Sequence, residues 1–88
     1  MLETSVEIIN KAGLHARAAS KLAALTATFS CKIEIGHDQM VDGKSILSLM
    51  MLAAVKGTKL MVVADGEDEE KAITAIVALI NNKFDEDE

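Results

Sequence analysis

Apolar and polar residues alternate along some segments of the chain and recur with helical spacing along others. Strict alternation indicates a half-buried β-strand, and apolar residues three or four positions apart indicate an amphipathic helix. The alternating segments predict four strands, at residues 2–9, 31–35, 39–42 and 58–64. The helical spacing predicts three helices, at residues 16–29, at residues 45–55, and from the acidic run 67–70 to Phe84.

The predicted order of elements is therefore β-α-β-β-α-β-α, which defines the fold class as α+β. Strands with one apolar face and helices with one apolar stripe bury both by packing in two layers. A chain of 88 residues has room for a single core, so we expect one domain over residues 1–88. Residues 85–88 are all acidic and follow a helix end, where the dipole repels negative charge, so we expect them to form a frayed tail.

The composition limits the kind of site that the domain can hold. Half of the residues are apolar but only Phe29 and Phe84 are aromatic, which favours a surface site over a deep pocket. Cys31 is the only cysteine, so neither an intramolecular disulfide nor a cysteine-based metal site is expected. The sequence predicts no metal and no cofactor. With no signal peptide or membrane span in the pattern, it predicts a cytoplasmic protein that does not insert into membranes.

Charge is distributed unevenly along the chain. The net charge is −5, yet residues 10–60 hold seven basic side chains against three acidic ones. The overall sign and the lack of aromatic side chains argue against nucleic-acid binding. A phosphate group or an acidic protein partner suits the positive part of the chain better.

The candidate site is the segment GLHARAAS, residues 13–20, which places His15 at the predicted start of the first helix. Helix starts carry unpaired amides and a partial positive charge, and they bind anions. A neutral imidazole has a nitrogen lone pair and can act as a nucleophile toward a phosphoryl donor. Phosphate contacts are predicted from Ala16, Arg17 and Ala18. A lone histidine near a helix start is more often a solvated loop residue, and spacing alone leaves that alternative open.

The segment from Ser45 to residue 55 offers two further candidates. Ser45 is a typical N-cap residue for the second predicted helix. Almost every position after it is apolar, so some of these side chains must face outward and form a surface for partners. DGKS at residues 42–45 resembles the end of a P-loop, but the glycine required at position 38 is Asp38, so nucleotide binding is rejected.

Three segments together resemble the HPr family of histidine phosphocarriers, which serve the bacterial phosphoenolpyruvate-dependent phosphotransferase system. They are GLHAR at residues 13–17, GKSILSLMMLAAVKGT at residues 43–58 and DGEDEEKAI at residues 65–73. The resemblance covers essentially the whole chain. It implies an open-faced β-sandwich, with an antiparallel four-stranded sheet and three helices on one face.

The resemblance also implies a function in sugar transport or nitrogen regulation. His15 would accept a phosphoryl group on Nδ1 from enzyme I and pass it to an enzyme IIA, with Arg17 as the site arginine. Such a monomer relays phosphate and is not a turnover enzyme. Ser45 matches a serine that a dedicated kinase phosphorylates in some bacteria. The matching partner-docking residues are Ile46, Leu47, Met50 and Met51.

One position departs from the family pattern. Proline usually follows the arginine, and here the residue is Ala18, which restores a backbone N–H in the first turn. The sequence as a whole looks similar to the variety found in proteobacteria with few sugar transporters, or to the nitrogen-related branch of the system. A second hypothesis is a regulatory binding module, in which phosphorylation at His15 or Ser45 only tunes docking through the helix at 45–55.

Overall fold

The computed structural model describes residues 1–86 and contains four strands and three helices in the predicted order. The strands are β1 (Leu2–Glu7), β2 (Lys32–Gly36), β3 (Met40–Asp42) and β4 (Lys59–Asp65). The helices are α1 (Ala16–Thr26), α2 (Ile46–Met51) and α3 (Glu69–Asn81), followed by a short 3-10 turn at Lys83–Asp85. Among the described residues, no helix is long and apolar enough to cross a membrane.

The four strands form one antiparallel sheet in the order β1-β4-β2-β3. The central strand β4 pairs with β1 on one side and β2 on the other, so that Val62 lies between Thr4 and Ile35. Alternate residues of each strand face the core, as the period of two requires. The predicted α+β class, with an open-faced sheet, is confirmed.

The core lies between one face of the sheet and the helices. Aliphatic side chains fill most of it, in agreement with the low aromatic content. The largest fully buried apolar side chains are those of Ile8, Leu22, Ile33, Ile35, Leu49, Leu60, Val62, Ile76, Ile80 and Phe84. Cys31 is also buried, and burial raises the pKa of its thiol, so it behaves as a small core residue.

Helix α1 ends three residues earlier than the periodicity predicts. The hydroxyl of Thr26 donates to the carbonyl oxygens of Ala23 at 3.1 Å and Gly43 at 2.8 Å. In the next turn the amide of Thr28 donates to the carbonyl oxygen of Leu25, three residues back, where an α-helix would use the residue four back. The buried hydroxyl of Thr26 therefore joins the end of the helix to the segment before α2.

Helix α2 ends at Met51, so the predicted helix over residues 45–55 is wrong for its last four positions. Ala53 has a left-handed conformation with φ of 51°, which interrupts the helix before Gly57 is reached. The carbonyl oxygen of Ala54 instead accepts a hydrogen bond from the amide of Leu14 at 2.8 Å. This contact draws the chain after α2 toward the segment that carries His15.

The C-terminal segment differs most from the prediction. Helix α3 ends at Asn81, and Phe84 is not part of it, because Lys83, Phe84 and Asp85 all have positive φ. The predicted frayed tail also differs from the structure at Asp85 and Glu86. The carboxylate of Asp85 accepts a hydrogen bond from Asn82, and that of Glu86 contacts His15. Residues 87–88 lie outside the described residues.

Candidate functional site

His15 lies at the N-cap of α1, where the sequence predicts it. Its backbone is extended, with φ of −79° and ψ of −178°, and its carbonyl oxygen accepts the first helical hydrogen bond from Ala19. The ring turns back over the helix start, so that Nδ1 accepts a hydrogen bond from the amide of Arg17 at 3.3 Å. The side chain is 34% exposed, which leaves the ring accessible from solvent.

The loop before His15 requires glycine at position 13. Gly13 has φ of +71°, and a Cβ at this position would lie 2.5 Å from the carbonyl oxygen of Ala54. Any larger residue would therefore meet both an unfavourable backbone conformation and a backbone clash. Leu14 follows with its side chain buried, so the loop is anchored on both sides of the turn.

The cationic part of the site is Arg17. Its side chain is exposed, and its guanidinium group has no hydrogen bond or ion pair within residues 1–86. Ala16 is also exposed, whereas the side chain of Ala18 is fully buried, so only the backbone of Ala18 can contribute to the site. An uncommitted arginine beside a helix start is well suited to bind an anion.

The structure adds an acidic residue to the site that the sequence prediction missed. Oε2 of Glu86 lies 2.5 Å from Nε2 of His15. Oε1 of the same carboxylate accepts a hydrogen bond from the Asn10 amide nitrogen at 3.0 Å. The hydrogen bond from Asn10, followed by that from His15, holds the pKa of Glu86 below its usual range. The ring of His15 thus has an amide donor at Nδ1 and a carboxylate at Nε2.

Two core residues hold this C-terminal segment against α1. The side chain of Phe84 is fully buried, and its carbonyl oxygen accepts a hydrogen bond from Nζ of Lys21 at 2.8 Å. Asn10 is also fully buried and donates to the carbonyl oxygen of Gly13 at 2.8 Å. Neither Asn10 nor Lys21 was predicted to belong to the site. No local pattern reveals contacts across more than 60 positions of the chain.

The other predicted residues form a neighbouring surface on α2. Ser45 is its N-cap, and its hydroxyl accepts a hydrogen bond from the amide of Ser48 at 3.2 Å. Five apolar side chains here are at least 40% exposed, and we call them the α2 patch: Ile46, Leu47, Met50, Met51 and Val55. Val55 was not predicted. Because the Gly13 turn packs directly against the backbone of Ala54 and Val55, the α2 patch adjoins the loop of His15.

This site holds one imidazole nitrogen with an available lone pair, the amides of a helix start, and an arginine side chain with no hydrogen bond or ion pair among the described residues. Within residues 1–86, no cluster of three or more His, Cys, Asp or Glu is placed to hold a metal ion. His37, the other histidine, contacts the carbonyl oxygen of Leu52 in a separate turn. An open-faced sandwich with one accessible histidine at a helix start suits a small protein that carries a phosphoryl group.

Comparison with known proteins agrees with this class. The family model described as "PTS HPr component phosphorylation site" matches residues 2–82. The phosphocarrier protein HPr of Pseudomonas aeruginosa is 51% identical over 85 residues, 94% of each chain. The phosphocarrier protein NPr of Escherichia coli K12 is 40% identical over 88 residues, 98% of each chain. A crystal structure of HPr-C-His from Thermoanaerobacter tengcongensis superposes with a TM-score of 0.95 at 42% identity, covering all of both chains.

The chain therefore belongs to the HPr family of the phosphotransferase system. Its function is that of a phosphocarrier in this system, and the comparisons favour this function over the alternative of a purely regulatory binding module. The similarity extends to phosphocarrier proteins named HPr and NPr alike.

Proposed function

We propose that Nδ1 of His15 is the atom that carries the phosphoryl group. In this account His15 accepts the group from phospho-enzyme I, which phosphoenolpyruvate has charged, and donates it to a histidine of an enzyme IIA in the cytoplasm. The observation that supports the proposal most strongly is the orientation of the ring, which directs Nδ1 toward the backbone amide of Arg17 in the first turn of α1.

The helix start supplies donors for the phosphoryl oxygens. The amides of Ala16, Arg17 and Ala18 precede the first intrahelical hydrogen bond of α1, which is donated by Ala19. The Arg17 amide now makes only a long contact to Nδ1, so it can turn to a phosphoryl oxygen once that nitrogen is bonded to phosphorus. The Arg17 guanidinium adds a charge-assisted contact. Ala18 contributes an additional N–H where the family usually has proline, so we expect this site to be active.

We propose the α2 patch as the surface that docks on enzyme I and enzyme IIA. Its apolar side chains are exposed beside the loop of His15, so a partner that covers the α2 patch also reaches the ring. Two of the five side chains are methionines, which adapt to differently shaped partner surfaces. Exposed apolar groups clustered in this way are typical of a protein interaction site.

We propose Ser45 as a second modification site, for a dedicated kinase where the host has one. Its hydroxyl is only partly buried and caps α2. A phosphate at this helix start would interact well with the dipole, but it would place two negative charges next to Ile46 and Leu47. Phosphorylation of Ser45 would therefore weaken docking without removing His15. We expect a monomer, because relay requires only one exposed histidine.

The test is intact-mass analysis after incubation with phosphoenolpyruvate and an enzyme I. We expect the wild-type protein to gain the mass of one acid-labile phosphoryl group. His15→Ala should gain none, and His37→Ala, which removes the other histidine, should behave like the wild type. Failure of the wild-type protein to gain mass, with an enzyme I that is active on another carrier, would overturn the proposed role of His15.

A further inference from the structure

The carboxylate of Glu86 contacts Nε2 of His15, whereas the proposed phosphoryl acceptor is the other ring nitrogen, Nδ1. We propose that Glu86 is a positioning residue, which holds His15 in the one tautomer that leaves Nδ1 free to attack phosphorus. The proposal depends on the proposed role of His15. Glu86 acts through the ring and does not itself touch the phosphoryl group.

Both neighbours of the ring specify the same tautomer. An ionised carboxylate only accepts hydrogen bonds, so Nε2 must carry the hydrogen that faces Glu86. A backbone amide only donates, so Nδ1, which faces the amide of Arg17, must present its lone pair. The depressed pKa of Glu86 keeps this carboxylate ionised at neutral pH. The opposite tautomer would set two hydrogens against each other at Nδ1 and two acceptors at Nε2.

The same contact stabilises the product of the transfer. The lone pair of His15 Nδ1 forms a bond to phosphorus while the bond from phosphorus to the donor atom of phospho-enzyme I breaks, and the donor atom keeps that electron pair. The His15 ring becomes a phosphorylated imidazolium that keeps its hydrogen on Nε2, so no proton has to leave. The positive charge that develops on the ring then faces the Glu86 carboxylate across its hydrogen bond. Transfer to the acceptor reverses these changes.

The chain holds Glu86 in place at a conformational cost. The amide nitrogen of Asn10 faces two acceptors, the carbonyl oxygen of Gly13 and Oε1 of Glu86, which together fix the orientation of this buried side chain. Lys83, Phe84 and Asp85 all have φ between 53° and 65°, which residues other than glycine adopt rarely. Such conformations persist where the surrounding structure determines them, here through the burial of Phe84.

The test compares Glu86→Gln with Glu67→Gln, which makes the same change in charge at an exposed position. Glu67 precedes the start of α3, whose 13 residues span about 20 Å, whereas Glu86 follows its end. Long-range proton–nitrogen NMR of the free protein reports which ring nitrogen carries hydrogen. We expect the Nε2–H form in the wild type and in Glu67→Gln, and a substantial Nδ1–H population in Glu86→Gln.

Phosphoryl transfer from enzyme I provides the second readout. In Glu86→Gln we expect kcat to fall about tenfold while KM changes little, because the residue acts on the ring and lies outside the proposed docking surface. Glu86→Asp, which keeps a carboxylate, should recover part of the loss. Circular dichroism verifies that these variants fold.

Two outcomes would overturn the proposal, and they are distinct from failure of the proposed function. An unchanged tautomer in Glu86→Gln contradicts it even if the wild-type protein is phosphorylated normally. An equal rate for Glu86→Gln and Glu67→Gln contradicts it as well. If the wild-type protein accepts no phosphoryl group although the tautomer shifts as expected, the proposed role of His15 has failed, and the transfer role of Glu86 fails with it.

Discussion

Replacing Phe84 by alanine tests whether the C-terminal segment is anchored as the structure describes. The side chain of Phe84 is fully buried although it lies beyond the end of α3. Truncation of a buried phenylalanine to alanine costs about 3–5 kcal/mol, from lost transfer free energy and the cavity that remains. Alanine also keeps a Cβ, so the φ of 53° at this position offers no compensating relief of strain.

A loss of this size is large for a small domain. A chain of this length has a free energy of unfolding of about 4–13 kcal/mol, so Phe84→Ala should remain folded only within a narrow margin. Because 1 kcal/mol corresponds to about 4–8 °C in Tm for a domain of this size, Tm should fall by about 12 °C or more. Urea denaturation followed by circular dichroism measures the free energy directly.

Phe84→Leu is the matched control, because it keeps an apolar side chain of considerable volume. We expect it to lose less than about half as much stability as Phe84→Ala. Below its unfolding transition, Phe84→Ala should also show the tautomer shift expected for Glu86→Gln, because the anchor of that carboxylate is lost. A change in unfolding free energy below about 1 kcal/mol for Phe84→Ala would refute the buried position of Phe84.

Two further predictions concern docking and pH. Leu47→Glu should weaken binding to enzyme I by about tenfold or more, measured by calorimetry, because a charge enters the α2 patch. Its free energy of unfolding should change by less than about 0.5 kcal/mol, since Leu47 is 68% exposed. Equal binding by Leu47→Glu and by the control Thr74→Glu on α3 would contradict the docking proposal. Hydrogen bonds, chiefly from the amide of Ser30 to Asp68 and from Asn10 to Glu86, lower the pKa of both carboxyl groups in the folded state. Their contribution to stability is therefore complete above the pKa of the unfolded carboxyl groups, near pH 4, and is lost as the pH falls through the lower folded values. Urea titrations between pH 6 and pH 2 should show this decline, and an unfolding free energy that is constant or rises toward acid would contradict it.

The sequence predicted the fold wherever a strand or helix has one face in the core and the other in solvent. Strand β4 alternates clearly, with Leu60, Val62 and Ala64 buried, so its position and its orientation follow from the period of two. Helix α2 shows the opposite case, because almost every residue after Ser45 is apolar and no period marks its end. It ends where Ala53 takes a left-handed conformation, next to the hydrogen bond from Leu14 to Ala54, which joins segments about 40 positions apart.

The candidate site divides in the same way. The N-cap position of His15 follows from the local pattern, in which a glycine turn precedes a helical run. The contact between Nε2 of His15 and Glu86 could not be predicted from the local pattern, because the run of four acidic residues 85–88 resembles a solvated tail. Glu86 differs from the other acidic residues of this run because it lies two positions after the buried Phe84. The helical spacing of Phe84 had suggested that α3 continues to this residue. The left-handed turn that removes Phe84 from the helix also brings Glu86 to His15.

The most direct test of this account is to identify the atom of the protein that bears the phosphoryl group. The protein, labelled with nitrogen-15, is phosphorylated with phosphoenolpyruvate and enzyme I, and phosphorus–nitrogen correlation NMR locates the N–P bond. We predict a bond to Nδ1 of His15, with the hydrogen retained on Nε2 beside Glu86. A bond to Nε2 of His15, or to any other residue, would contradict the account.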